Sequence, residues 1–263
     1  MKKKERWVIK AGSQMVCEGG PLLIRTWMNQ VLKLRDQNID VIWVTSGAIA
    51  HASDKLKFKK TKRSLIEKQA LSAIGQPLVM EEYNLALNAN QMLGAQVLLT
   101  ANDMKDPVPR KNLQNTLNQL LQMKVIPILN ENDAVATEEI QFGDNDSLAS
   151  QVAIMMKAKL LVILTDVDGL FDEDPKKNQK AKLIPYLPKV TSKDLNLVKG
   201  KTTSQLSQRG TGGMHSKLLA AQKAGLSKII THLVRGDLPH NLTEIANGKT
   251  VGTQIGGNLV KQK

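Results

Sequence analysis

Ile126-Pro127-Ile128-Leu129 runs directly into Asn130-Glu131-Asn132-Asp133, and Leu160-Leu161-Val162-Ile163-Leu164 runs into Thr165-Asp166-Val167-Asp168-Gly169. Each apolar run stops at a burst of carboxylates and amides, and a third burst, Gly143-Asp144-Asn145-Asp146, falls between them. Short apolar runs bounded by turn residues read as strands buried on both faces, the mark of a parallel sheet. Open α/β sheets bind ligands beyond the carboxyl ends of their strands, so the polar bursts stand where a ligand would. Carboxylates gathered in one place repel unless a cation, an ammonium group or hydrogen-bond donors offset them. The stretch therefore predicts a site for an amine, a metal-bound group or both.

Outward from it, strand-like runs recur at Trp7 to Ile9, Val41 to Val44, Val97 to Leu99 and Ile229 to Leu233. Helical spacing separates most of them: Leu22, Trp27, Val31 and Leu34 within Pro21 to Leu34, the leucines of Leu113 to Met123, and Ser64 to Ala73, which opens on a Ser cap with Glu67 three residues on. Strands alternating with helices predict an α/β fold, a three-layer αβα sandwich around a mainly parallel sheet. The 263 residues suffice for one large domain; residues 1–258 are expected to form it, with 259–263 a basic tail.

No run of eighteen apolar residues occurs, and Met1-Lys2-Lys3-Lys4-Glu5 leads straight into Trp7-Val8-Ile9 with no apolar signal region. A cytoplasmic protein with no membrane partner is expected. The single cysteine, Cys17, suits a reducing compartment and reads as an inert small residue. A net charge of +13 fits either nucleic acid or small anionic substrates. At 3% aromatic content there is little on which bases could stack, which argues against nucleic acid as a partner. The densest basic run, Lys55 to Arg63, reads as a solvated loop. His51, His215, His232 and His240 show no metal-ligand spacing, and no Ser-His-Asp signature is present.

Lys10 with Ala11-Gly12-Ser13 places an ammonium and close-approaching amides at a strand end, a pairing suited to phosphate and different from the Walker loop. Thr45-Ser46-Gly47-Ala48 has the order strand, hydroxyl, glycine, helix, so it offers an anion site at a helix N-terminus, a plain Ser cap, or both at once. Gly143 to Asp146 precedes a helix predicted from Ser147 to Lys157, and capping uses only one of its three polar residues. With Asn130, Asn132 and Asp133 added, the surplus suits a substrate bearing a free α-amino group. Gly210-Thr211-Gly212-Gly213-Met214-His215-Ser216-Lys217 opens another helix with a lysine one turn in, a second phosphate-grade site. Two lysine sites flanking a carboxylate cluster suit phosphoryl transfer, which needs cationic charge on the transferring group and little covalent work.

Together these motifs resemble the glutamate 5-kinases, a branch of the amino acid kinase family. The match is carried by Lys10-x-Gly12-Ser13, Val44 to Ala50, Gly75-Gln76, Asn115-Thr116-Leu117, Ile126 to Asp133, Phe142 to Asp146, Leu164 to Leu170 with Asp174-Pro175, and Gly210 to Met214 with Lys217. The resemblance implies ATP-dependent phosphorylation of the side-chain carboxylate of L-glutamate, the first step toward proline, with Mg²⁺ on the nucleotide and no protein side chain assigned to the metal. It implies that Ser46, Gly47, Asn130, Asp133 and Asn145 hold glutamate. The nucleotide would be held by Lys10, Ser13, Thr165, Asp166, Thr211, Gly212, Gly213, Met214, His215, Ser216 and Lys217. Lys10 and Lys217 would offset charge on the γ-phosphoryl group, Asp146 would orient them, and Gly12 would supply a backbone donor. It further implies a homo-oligomer, dimer or tetramer, and feedback by proline. The chain departs from the family pattern at Gln14, at Asp106-Pro107-Val108-Pro109 and at Leu113-Gln114, and a kinase domain without the C-terminal PUA domain of longer members is expected. Two alternatives stand beside this reading: an N-acetylglutamate kinase-like enzyme, whose branch has a Lys-x-Gly-Gly first motif, and a catalytically weak regulatory or nucleic-acid-binding protein that keeps the fold.

Overall fold

Alternation along the central strands decides the layering. The computed structural model describes residues 4–60, 62–137, 144–199 and 213–258. Strand β1 (Glu5–Ala11) turns Trp7, Ile9 and Ala11 into one core and Val8 into the other. Because side chains alternate across a sheet, Lys10 faces the Val8 side. The same rule sorts β2 (Ile39–Val44), with Val41 and Trp43 on the first side and Ile42 and Val44 on the second.

Between these strands runs α1 (Ser13–Asp36), and after β2 come α2 (Ala48–Lys55), α3 (Leu65–Asn88), β3 (Gly94–Leu99), α4 (Ala101–Lys105) and α5 (Pro107–Gln122). Strand β4 (Ile126–Glu131), α6 (Asn145–Met155), β5 (Leu160–Thr165), β6 (Tyr186–Leu187) and α7 (Ser192–Lys199) follow. The described chain closes with α8 (Met214–Leu226), β7 (Ile230–Arg235), α9 (Asn241–Ala246) and β8 (Thr253–Ile255). All eight strands share one sheet, ordered β3-β4-β2-β1-β5-β7-β8-β6. Every pairing is parallel except β7 with β8. Helices α1, α3 and α9 pack on the Trp7 side, and α5, α6 and α8 on the Val8 side, which is the expected three-layer α/β arrangement.

β1 lies between β2 and β5, so the chain moves outward from it in both directions. That reversal opens a crevice beyond its carboxyl end, where Lys10 and Gly12 stand. The predicted strands and helices are present, with shifted limits. The helix expected from Pro21 is the second part of α1, which breaks at Gly20 (φ 56, ψ −160), a left-handed conformation that glycine adopts without strain. Pro21 then restarts the helix, needing no N–H there. Ser64 and Glu67 form the expected capping box, and α3 continues through Pro77 to Asn88. Strands β6 and β8 were not expected: they are two and three residues long, too short to carry a periodic signal.

Candidate active site

Lys10, Asp146 and Lys217 meet beyond the end of β1. Lys10 Nζ lies 2.7 Å from Asp146 Oδ1, and Lys217 Nζ donates to Asp146 Oδ2 at 3.0 Å. Ser216 Oγ donates to the same Oδ2 at 2.9 Å. The period of β1 sends Lys10 toward α6 and α8, Asp146 occupies the first turn of α6, and Lys217 the first turn of α8. Exposure is 4%, 0% and 7% for the three, which excludes the reading of either lysine as a solvated surface residue. Burial alone would push the Asp146 carboxyl up, but the charges of Lys10 and Lys217 outweigh it and hold the group well below the usual carboxylate range. Burial pulls the Lys10 ammonium below its ordinary value, with Asp146 opposing and Lys217 assisting. Two cations on one anion leave a net positive centre, which suits an incoming anionic group. A buried ion cluster is weak evidence for stability, so chemistry is the better reason for it. A Cβ added at Gly12 would stand 3.6 Å from Lys10 Nζ, so the glycine keeps the space beside the ammonium open.

A second set of groups faces the α3 side. Asn130 continues the face of Ile128, and Asn145 Nδ2 lies 2.8 Å from Asn130 Oδ1, 2.8 Å from Thr45 O and 2.7 Å from Ser46 Oγ. Asn145 Oδ1 is buried and accepts no hydrogen bond among the described residues. Ser46 is therefore no helix cap: the cap position of α2 is Gly47, held at φ 102, and Ser46 serves Asn145 instead. The one cap among the Asp144 to Asp146 residues is Asp144, which accepts from Ser147 N at 2.8 Å. Asp133 accepts from Ser72 Oγ at 3.2 Å, and burial pushes its carboxyl up against the pull of that bond and of Lys68.

Of the residues expected on the nucleotide, Ser13 opens α1 next to Lys10, and Gly213, Met214, His215 and Ser216 cluster at the start of α8. Thr165 ends β5 almost fully buried, and Asp166 pairs with Lys176 at 2.6 Å. Thr211 and Gly212, like Phe142 and Gly143, lie outside the described residues. Sequence reasoning gave no role to Gln76, whose side chain binds both Asn130 and Glu131 O. It also missed Tyr83, whose hydroxyl lies 3.0 Å from Thr45 Oγ1 and accepts from Trp43 Nε1. The departures have local explanations. Asp106 caps α5 with Pro107 at its first position, Leu113 packs in the core, and Gln114 Nε2 donates to Met155 O. Gln14 Nε2 donates to Glu18. Among the described residues no group of three or more His, Cys, Asp or Glu side chains could hold a metal, and no helix is long and apolar enough to cross a membrane.

The family model described as "Amino acid kinase family" matches residues 5–234. The chain belongs to the amino acid kinase family. Among its relatives in that family are a glutamate 5-kinase of Nitrosospira multiformis, 39% identical over 97% of this chain and 68% of the relative, and one of Pseudomonas fluorescens, 40% identical over 95% and 68%. The crystal structure of a UMP kinase from Bacillus anthracis superposes with a TM-score of 0.62 at 18% identity, covering 96% of both chains. At that identity the likeness shows the shared amino acid kinase fold.

Proposed function

We infer that the protein is a glutamate 5-kinase. It transfers the γ-phosphoryl group of ATP to the side-chain carboxylate of L-glutamate, giving L-glutamyl 5-phosphate, the first step of proline biosynthesis. The observation that carries this reading is the buried Lys10–Asp146–Lys217 cluster, in a chain about 40% identical to glutamate 5-kinases over nearly its whole length. An oxygen of the substrate carboxylate bonds to the γ-phosphorus while the bond to the bridging β–γ oxygen breaks, and ADP leaves with that electron pair. A carboxylate is already ionised at neutral pH, so no general base is needed. The chain's work is alignment and charge stabilisation.

In this reading Lys10 and Lys217 hold the oxygens of the transferring group, Asp146 fixes both ammoniums, and the Gly12 N–H donates to the same group. Asp133 and its neighbours meet the α-ammonium, and Ser46, Gly47, Asn130 and Asn145 help to hold glutamate. Ser13, Thr165, Asp166 and the start of α8 from Gly213 to Ser216 bind the nucleotide. Mg²⁺ carried on the phosphates supplies further charge neutralisation. Purified protein with MgATP, L-glutamate and hydroxylamine should give glutamate-dependent ADP and γ-glutamyl hydroxamate. Absence of both refutes the assignment.

A further inference from the structure

The amides of the substrate half point in one direction, and that direction is set from outside it. Gln76 lies on α3 beside Gly75, where an added Cβ would meet Ala48 O at 1.8 Å; helix α3 is thus seated directly on the first turn of α2. Gln76 Nε2 donates to Glu131 O at 3.3 Å, which leaves Oε1 to accept from Asn130 Nδ2 and Gln96 Nε2, each at 3.3 Å. Reversing this amide would set its oxygen against the Glu131 carbonyl, acceptor on acceptor. With Gln76 so turned, Asn130 must present its oxygen to Glu131 N at 2.9 Å and to Asn145 Nδ2 at 2.8 Å. Asn145 must then turn its nitrogen inward, where Thr45 O also accepts, and its buried Oδ1 is left without a donor among the described residues. Amide orientation follows from the network around it, and here backbone carbonyls at both ends, Glu131 O and Thr45 O, require the same one.

We propose that Gln76 is the positioning residue that sets the substrate half to receive a hydrogen-bond donor, and thereby makes the site select a dicarboxylate with an α-ammonium over its deamino counterpart. This rests on the glutamate 5-kinase reading. Gln76 acts through Asn130 and Asn145 and touches neither substrate. Without it, Glu131 N and Thr45 O alone hold the two asparagines in this orientation, and the carbonyl of Asn145 is held toward the ligand less firmly.

The test compares the glutamate KM with the inhibition constant of glutarate, the same chain without the amino group, in wild type and in Gln76→Met, which keeps the length and loses both polar atoms and with them all three hydrogen bonds. Losing an acceptor for the α-ammonium should raise the glutamate KM about tenfold, while the glutarate constant moves less than about twofold and kcat less than about threefold. A parallel rise in both constants overturns the proposal, since Gln76 would then only shape the pocket; unchanged discrimination overturns it as well. If thermal melting shows Gln76→Met unfolded, Gln96→Met on edge strand β3 removes the other donor to Oε1. It should cost about two- to threefold in discrimination, and no change there counts against the proposal. Wild-type protein inactive on glutamate sinks the kinase reading and the inference with it, whereas active wild type with unaltered discrimination in the variants sinks the inference alone.

Discussion

On the α6/α8 side of β1, Lys10 and Lys217 share the single counter-ion Asp146, while Asn145, reaching from the start of α6 toward the α3 side, keeps a buried oxygen with no donor among the described residues. The difference follows from what each half must bury. An isolated charge out of water costs many kcal/mol, so the phosphoryl half has to carry its counter-ions within the fold. A neutral amide oxygen left unpaired costs about 1–3 kcal/mol, a deficit that the fold can hold until a substrate relieves it. In the proposed reading, one half carries its counter-ion within the fold, and the other leaves an acceptor for its ligand.

Substitutions on the two sides should therefore fail differently. The largest effect is expected for Asp146→Ala, which leaves two buried lysines facing each other. Breaking such a cluster costs about 3–5 kcal/mol of stability, seen as a lower melting temperature together with loss of hydroxamate formation. In the wild type, the stability that Asp146 contributes is present above the ordinary carboxylate value of about pH 4 and is lost as the pH falls toward its own lowered value. Next, Lys217→Ala should lower kcat by about 10²–10³ with the glutamate KM nearly unchanged, since its partner develops in the transition state. A variant altered only in KM would contradict that role and blur the contrast between the halves.

Asp133→Ala should do the reverse, raising the glutamate KM by about tenfold or more with little change in kcat, as steady-state kinetics would show. The smallest expected effect is a pH dependence. Burial raises the Asp133 carboxyl in the free protein, whereas an ammonium ligand needs it ionised, so the glutamate KM should climb as the pH falls toward that raised value. Asp133→Asn should flatten the profile. The same shift means that ionised Asp133 weakens the fold at neutral pH, so Asp133→Asn should melt no lower than wild type. A marked loss of stability would place Asp133 among the structural residues.

The phosphoryl half was the more legible in the sequence. Lys10, Asp146 and Lys217 each follow a strand end or open a helix, and charge at such places has few uses besides ligands or counter-ions. The parallel core strands were legible for a similar reason, because strands buried on both faces read as unbroken apolar runs. Ser46 was ambiguous between cap and ligand group, and its bond to Asn145, 99 residues away, removes the cap reading. Gln76, marked in the sequence only as part of the family match, and Tyr83 sit inside α3, where a glutamine or a tyrosine gives no periodic or turn signal; their partners belong to β4 and to the end of β2. Contacts across layers leave no local trace, so the supporting network had to be seen folded.

The division of the core into two layers has a spectroscopic consequence. Trp7, Trp27 and Trp43 all lie on the α1/α3 side, with the rings of Trp27 and Trp43 5.5 Å apart, and the layer beneath α5, α6 and α8 holds none of them. Intrinsic fluorescence therefore watches the layer of the substrate half. Turnover watches the opposite layer, where Lys10 and Lys217 must both reach Asp146. In refolding, a lag of activity behind the recovery of native tryptophan emission would mean that the α1/α3 layer closes first and the phosphoryl-transfer layer follows.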